Sequence, residues 1–313
     1  MKITKMLKFF TKLHRLLQID ACLEDLERRL RFKTRYDDLI DKALNSTQSG
    51  TSSEHYTDHE VIVSLTSYGR RIFDVAATIE SIMQGSVRPN KIVLWLGEDM
   101  RDVELPVAVQ KQQQRGLEVA FCKDIGPHTK LIPSLKKYPD AAIITIDDDN
   151  IYRHDLLENL LREHKRHPHH IISNRILRIK LGKDKRPLTY SKWDWEVIPR
   201  DDSPLNFFTG SNGVLYPPHC LADAVLDEET FTRICPTEDD IWFFAMSLLA
   251  GTRTVRCDGI DRESKNYILK NDVVQGDALC RSNQKISRGQ CKSDLQLKAV
   301  FDKYNLWGKL LEN

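Results

Sequence analysis

From Val61 onward, short apolar runs alternate with amphipathic stretches. Val61–Leu65 is apolar and β-branched and predicts a strand, after which Ile72, Val75, Ile79 and Ile82 recur at helical spacing. Lys91–Leu96 predicts the next strand and Leu105–Arg115 the next helix. Glu118–Cys122 follows as a strand, Leu131–Tyr138 as a short helix, and Ala142–Ile146 as a fourth strand, with a helix from about Asp155 to Lys165. Alternation at these lengths implies the α/β class, a mostly parallel sheet flanked by helices on both faces. After Ile171 the regularity weakens, and Trp193, Trp195, Pro199 and Pro204 fall in a loop-rich stretch before a second helical block, Asp239–Ala250.

The amino-terminal segment has a different pattern. Ile3, Met6, Leu7, Phe10, Leu13 and Leu17 share one helical face, and Lys2, Lys5, Lys8, Lys12 and Arg15 all precede the first acid, Asp20. Lys12, His14 and Arg15 interrupt the apolar core that a signal peptide requires. Two readings stand: a basic amphipathic helix lying on the cytoplasmic face of an anionic membrane, or a helix packed on the domain or on a second subunit. Cys22–Leu44 stays helical but charged, and Asn45–Glu54, rich in Ser, Thr and Gly, reads as a flexible linker. Residues 1–58 are thus expected as a helical extension and 59–313 as the main domain.

With 313 residues, 41% of them hydrophobic, the chain can bury a large core, and a net charge of +2 without basic stripes argues against nucleic acid as a partner. Seven scattered cysteines with no C-x-x-C pair read as reduced thiols of a cytoplasmic protein. The apolar run Ile241–Leu249 is far short of the ~20 residues of a membrane span.

The candidate chemistry gathers at four places. Asp147, Asp148 and Asp149 follow the fourth strand, where ligands of open α/β sheets bind, and adjacent carboxylates suit a hard divalent cation held together with substrate phosphates. The first strand ends in Ser64-Leu65-Thr66-Ser67-Tyr68-Gly69-Arg70-Arg71, able to receive a base and phosphates through Thr66, Tyr68 and Arg71, or simply to cap a helix at Thr66 or Ser67. Thr209–Pro218 sets Gly210, Asn212 and Gly213 in a loop that permits close backbone approach to a ligand, or forms a plain turn before an edge strand. Pro236-Thr237-Glu238-Asp239-Asp240 precedes an apolar helix, so its acids either cap that helix or supply a general base. Neither G-x-G-x-x-G nor a P-loop is present.

The order of Ser64–Tyr68, Ile92–Leu96, Thr129–Pro133, Asp147–Asp149, Gly210–Pro218 and Glu238–Asp240 resembles nucleotide-sugar-dependent glycosyltransferases of the GT-A (Rossmann-like) fold, close to the family 2 type of bacterial surface-polysaccharide clusters. The resemblance spans about Val61 to Gly259. It implies a nucleotide-binding half at about 59–150, an acceptor half at about 151–260 and a C-terminal extension at about 261–313. It further implies a nucleotide diphosphate sugar as donor, a glycan or lipid-linked glycan as acceptor, and Mn²⁺ or Mg²⁺ as cofactor. Asp149 would bind the metal and Asp147 the ribose or metal, with Asp148 between them. Asp239 would be the base, with Asp240 as rival, while Lys130 or Arg71 would neutralise the diphosphate. No third metal ligand is evident after Gly259, so Asn150 or water would complete the shell. The rivals are a sugar-phosphate nucleotidyltransferase, which would bring an early Gly-rich basic loop not found here, and a catalytically silent glycan-binding or membrane-scaffold protein.

Overall fold

The computed structural model describes residues 2–257, 269–270, 283 and 291–312. The sequence after Gly259 where a third metal ligand was sought lies largely outside the described residues, and the C-terminal extension is described only in part. In chain order the elements are α1 (Lys2–Asn45), β1 (Val61–Thr66), α2 (Val75–Met83), β2 (Lys91–Gly97), α3 (Val107–Gln113), β3 (Leu117–Cys122), α4 (Ile132–Lys137), β4 (Ala142–Thr145), β5 (Asn150–Ile151) and α5 (Leu156–Arg166). There follow β6 (Ile171–Ser173), β7 (Ile176–Arg178), β8 (Asp194–Val197), β9 (Asn206–Phe208), β10 (Val214–Tyr216), α6 (Glu228–Ile234), α7 (Asp239–Ala250), β11 (Thr254–Arg256), β12 (Leu269–Lys270) and α8 (Lys292–Tyr304).

Seven strands form one sheet in the order β11-β6-β10-β4-β1-β2-β3. Only β10 runs against its neighbours, pairing antiparallel with β4 and β6, so the sheet is mostly parallel, as expected. Alternate residues of each strand feed opposite cores. Val61, Val63 and Leu65 meet Val75, Ile79 and Ile82 of α2 and Leu157 and Leu160 of α5, whereas Ile62, Val93 and Ile143 belong to the core that holds Trp242 and Phe243 of α7 and Phe301 of α8. Burial on both faces explains why these strands read as continuous apolar runs. The loop-rich stretch contains a three-stranded antiparallel sheet, β8-β7-β9, and β12 pairs with β5.

Two expectations change. The helical pattern through Ile72 divides into a 3₁₀ turn, Gly69–Phe73, and α2. The segment after Asn45 is not a flexible linker: Gly50 N donates to Arg115 O (2.8 Å), Ser52 N to Pro89 O (2.9 Å), and the Asn90 amide to Ser52 O and Glu54 O. Side-chain composition suggested freedom, but backbone groups pinned to the domain remove it. The two N-terminal stretches form one 44-residue helix. It contains neither Gly nor Pro, and pairs such as Arg29–Asp25, Arg31–Glu27 and Lys42–Asp38 lie along its surface at i,i+4. Leu39 and Ala43 are fully buried, Leu39 with Ala77 and Ile151, and the buried Arg115–Glu80 pair holds the end of α1 through the carbonyls of Lys42 and Gln48. Among the described residues no helix is long and apolar enough to cross a membrane.

Candidate active site

Strands β1 and β4 are parallel neighbours, so both release their chains at the same sheet edge. Asp147–Asp149 emerge there, and the turn after β1 bends back over them. Arg71 in that turn forks across two acids, with Nη1 on Asp148 (2.7 Å) and Nη2 on Asp149 (2.8 Å), and Ser67 Oγ donates to the second oxygen of Asp148 (2.7 Å). Ser67 and Thr66 therefore do not cap a helix: the Thr66 hydroxyl donates to Trp95 O (3.0 Å). Tyr68 is exposed, with the Arg71 guanidinium 5.5 Å from its ring centroid, which leaves an aromatic face beside the acids.

Lys130, in the 3₁₀ turn after β3, is buried with its ammonium between Asp147 (2.9 Å) and Asp239 (2.9 Å). This joins the acids of β4 to those of α7, which lie about ninety residues apart in the chain. Asp240 Oδ1 accepts the Gly210 N–H (2.9 Å). A Cβ at Gly210 would lie 2.7 Å from Lys130 Nζ and 3.0 Å from Asp240 Oδ1, so glycine is required there by close approach rather than by backbone angle. Neither Thr237 nor Asp239 caps α7. Thr237 instead bonds to Gln296 of α8 and to Asn283.

The Gly210 loop is stitched to the acids by groups that sequence reasoning passed over. Tyr152 Oη accepts from Asp147 N (2.9 Å) and donates to Ser211 O (3.0 Å), and Asn150 Nδ2 donates to the same carbonyl (2.9 Å). Thr78 of α2 donates to Asn150 O (2.8 Å). Nothing in the local pattern marks Tyr152; only its position five residues past Asp147 places it under the loop. Asn212 and Gly213 shape the loop itself: Asn174 donates to Asn212 O, and Gly213 takes φ 90°. On the flank, Arg175 lies 5.4 Å from the ring of exposed Trp195 and reaches Ser211 Oγ (3.4 Å).

Six carboxyl groups, Asp147–Asp149 and Glu238–Asp240, thus share the site with two cations. Burial pushes the Asp148 carboxyl up to about 7 against the pull of Arg71, and raises Glu238 to about 7 against a hydrogen bond from Ser293. Burial, then the charge of Asp239, holds Asp240 well above the usual carboxylate range. Burial works to strip the proton from Lys130, but Asp147 and Asp239 outweigh it and raise the ammonium well above its ordinary value. The two acids of α7 thus sit differently: Asp239 pairs with Lys130, whereas burial and the charge of Asp239 favour the protonated form of Asp240.

Among the described residues no three His, Cys, Asp or Glu groups stand close enough to enclose an ion by themselves. Mg²⁺ and Mn²⁺ held with a diphosphate need only one or two carboxylates, and the buried Oδ1 of Asn150 makes no hydrogen bond beside them. Asp147, Asp149 and Asn150 carry oxygen donors of the type such an ion takes.

No family model and no curated protein matches the chain. Among solved structures, the mannosyltransferase PcManGT from Pyrobaculum calidifontis, in complex with GDP-Man and Mn²⁺, is similar at 12% identity over 78% of this chain and 68% of its own, with a TM-score of 0.40. TarS 1–349 of S. aureus in complex with UDP is similar at 14% identity over 64% of this chain and 58% of its own (TM-score 0.40). A CMP:2-keto-3-deoxy-manno-octonic acid synthetase complexed with CTP is similar at 10% identity over 63% of this chain and 88% of its own (TM-score 0.36). At these identities and scores nothing about the site rests on these structures.

Proposed function

We propose that the chain is an inverting glycosyltransferase that moves a sugar from a nucleotide diphosphate sugar to a hydroxyl of a glycan or lipid-linked glycan, as in surface-polysaccharide synthesis. The observation that carries this reading is the bridge of Lys130 between Asp147 and Asp239, which sets a phosphate-handling acid cluster beside a candidate base on one sheet edge. The nucleotide base stacks on exposed Tyr68, and Arg71 and Lys130 turn toward the incoming diphosphate. That movement uncovers Asp239. A divalent ion held by Asp147 and Asp149, with Asn150, would supply Lewis-acid stabilisation of the leaving diphosphate.

In the transfer step the acceptor hydroxyl gives its proton to Asp239 as its oxygen bonds to the anomeric carbon from the face opposite the leaving group. The bond from that carbon to the diphosphate oxygen breaks, and the nucleoside diphosphate departs with the electron pair. Asp240, holding its proton, keeps Gly210 in place instead of accepting one. Trp195 offers a face on which an acceptor sugar ring can stack.

The test is a panel of nucleotide sugars screened for thermal stabilisation with and without Mn²⁺, followed by detection of free nucleoside diphosphate on adding acceptors. Asp149→Asn should abolish metal-dependent donor binding in a folded protein. Undiminished binding by that variant, or pyrophosphate release from a nucleoside triphosphate in place of sugar transfer, would overturn the proposal. The basic segment Lys2–Arg15 belongs to the same reading as a contact with the inner face of the cell membrane, where lipid-linked acceptors reside. Sedimentation with anionic vesicles should then fall as salt rises, since each basic residue near the surface is worth ~1 kcal/mol. Equal binding to neutral vesicles would count against it.

A further inference from the structure

Among the described side chains, helix α1 docks on the domain through its last turns, where Leu39 and Ala43 are buried and Phe32, Tyr36 and Ile40 are partly so. From Ile19 to Arg31 no residue whose side chain is described is buried. At 1.5 Å per residue, about 45 Å of helix precedes Phe32. Along it Ile19, Leu23, Leu26 and Leu30 are 53%, 57%, 61% and 64% exposed, and their 4-3-4 spacing is extended in the sequence by Leu16. Five apolar residues at alternating steps of three and four form a strict two-in-seven stripe. That is the narrow seam of a coiled coil rather than the broad face of a helix lying on a core or a membrane.

The flanks choose the partner. With Leu16, Leu23 and Leu30 at a and Ile19 and Leu26 at d, the e positions are Asp20 and Glu27, and two of the g positions are Arg15 and Arg29. A parallel pair of identical helices sets each g of one chain against the e five residues on in the other, so Arg15 meets Asp20, Glu27 meets Cys22 and Arg29 meets Thr34, with no like charges opposed. An antiparallel pair would set acid against acid and base against base. A membrane is the poorer match, because Asp20 and Glu27 adjoin this stripe and Glu24 and Asp25 lie along the same stretch, whereas of the basic residues of the first fifteen positions only Arg15 adjoins it. The seam stops where docking begins: Lys33 would be the next d and Asp37 the next a, both exposed and paired with each other (2.6 Å).

We infer that a second copy of this chain covers the seam, as a parallel two-stranded coiled coil over Leu16–Leu30 that projects from the two catalytic domains. Two heptads make a short contact, so the association is concentration-dependent.

Sedimentation equilibrium of the full chain should show its 36.3 kDa mass rising to twice that value with concentration. Leu23→Glu with Leu26→Glu should hold it at the monomer mass with unchanged melting, since both side chains are already in solvent. In a Cys22→Ser background, Leu30→Cys should cross-link under mild oxidation, because a positions of parallel chains face each other. An antiparallel pair would keep these two residues apart. A wild-type chain that stays monomeric throughout the concentration range, a dimer indifferent to the double substitution, or a Leu30→Cys dimer that fails to cross-link would overturn the inference. So would a double variant that loses only binding to anionic vesicles while both proteins are monomers.

Discussion

Lys130→Met removes the cation shared by Asp147, just past β4, and Asp239 of α7 while nearly preserving side-chain volume. The ammonium lies 2.9 Å from both Asp147 and Asp239 and is buried. Taking one partner out of a buried ion pair costs about 3–5 kcal/mol when the remaining charge cannot escape. Here there is an escape, which is for a carboxylate to take up a proton. Starting from an unfolded-state value near 3.9, protonating one carboxylate costs about 1.36 kcal/mol per pH unit above that value. That is roughly 5 kcal/mol at about pH 7.5 and roughly 1.5 kcal/mol at about pH 5. The variant should therefore lose about 3–5 kcal/mol at the higher pH and no more than about 1.5 kcal/mol at the lower. The sign follows from what the ammonium does: it stabilises ionised acids, so its contribution exists only where they would be ionised and fades as pH falls. Guanidinium unfolding of both proteins at the two pH values, with chelator present and tryptophan fluorescence as the signal, measures the difference. A stability loss of equal size at both would refute the account, as would none at pH 7.5.

Asp239→Asn should lower turnover by at least about 10²-fold with little change in donor affinity, while Asp240→Asn, whose amide oxygen can still accept the Gly210 N–H, should lose far less; the reverse ranking would move the base to Asp240. Gly210→Ala should cut turnover by about 10²-fold through displacement of Lys130 and Asp240, in a protein that still folds, as steady-state kinetics and circular dichroism would show. Asp148, with its carboxyl raised to about 7, contributes stability that is fully present below pH 4 and lost as pH rises through 7. Chelated wild type should therefore unfold more easily at pH 8 than at pH 5, and Asp148→Asn should flatten part of that slope; an unchanged slope would show that other groups cause it.

Local pattern was enough for the first half of the domain. Val61–Leu65 and Ala142–Ile146 read as strands because a short β-branched run buried on both faces needs no distant information, and the acids after Ile146 had to emerge at a carboxyl end. The N-terminal helix was legible for the same reason, though not its continuity through Asn45. Strand order was not legible, since the reversal of β10 between β4 and β6 depends on pairings between segments forty or more residues apart. Nor was the rigidity of Asn45–Glu54: its composition suggests a loose linker, and groups distant in sequence hold it, the carbonyls of Pro89 and Arg115, the Arg115 guanidinium and the amide of Asn90. At the site, the sequence alone determined which acids, glycines and cations were available, because their chemistry is intrinsic to residue type. Which of them meet was decided by the tertiary structure. Arg71 and Lys130, expected to face a diphosphate, close on the acids, and Tyr152 joins the Asp147 turn to the Gly210 loop. Burial and the charge of Asp239 then raise Asp240, while Asp239 pairs with Lys130, because desolvation and charge act through space and not along the chain.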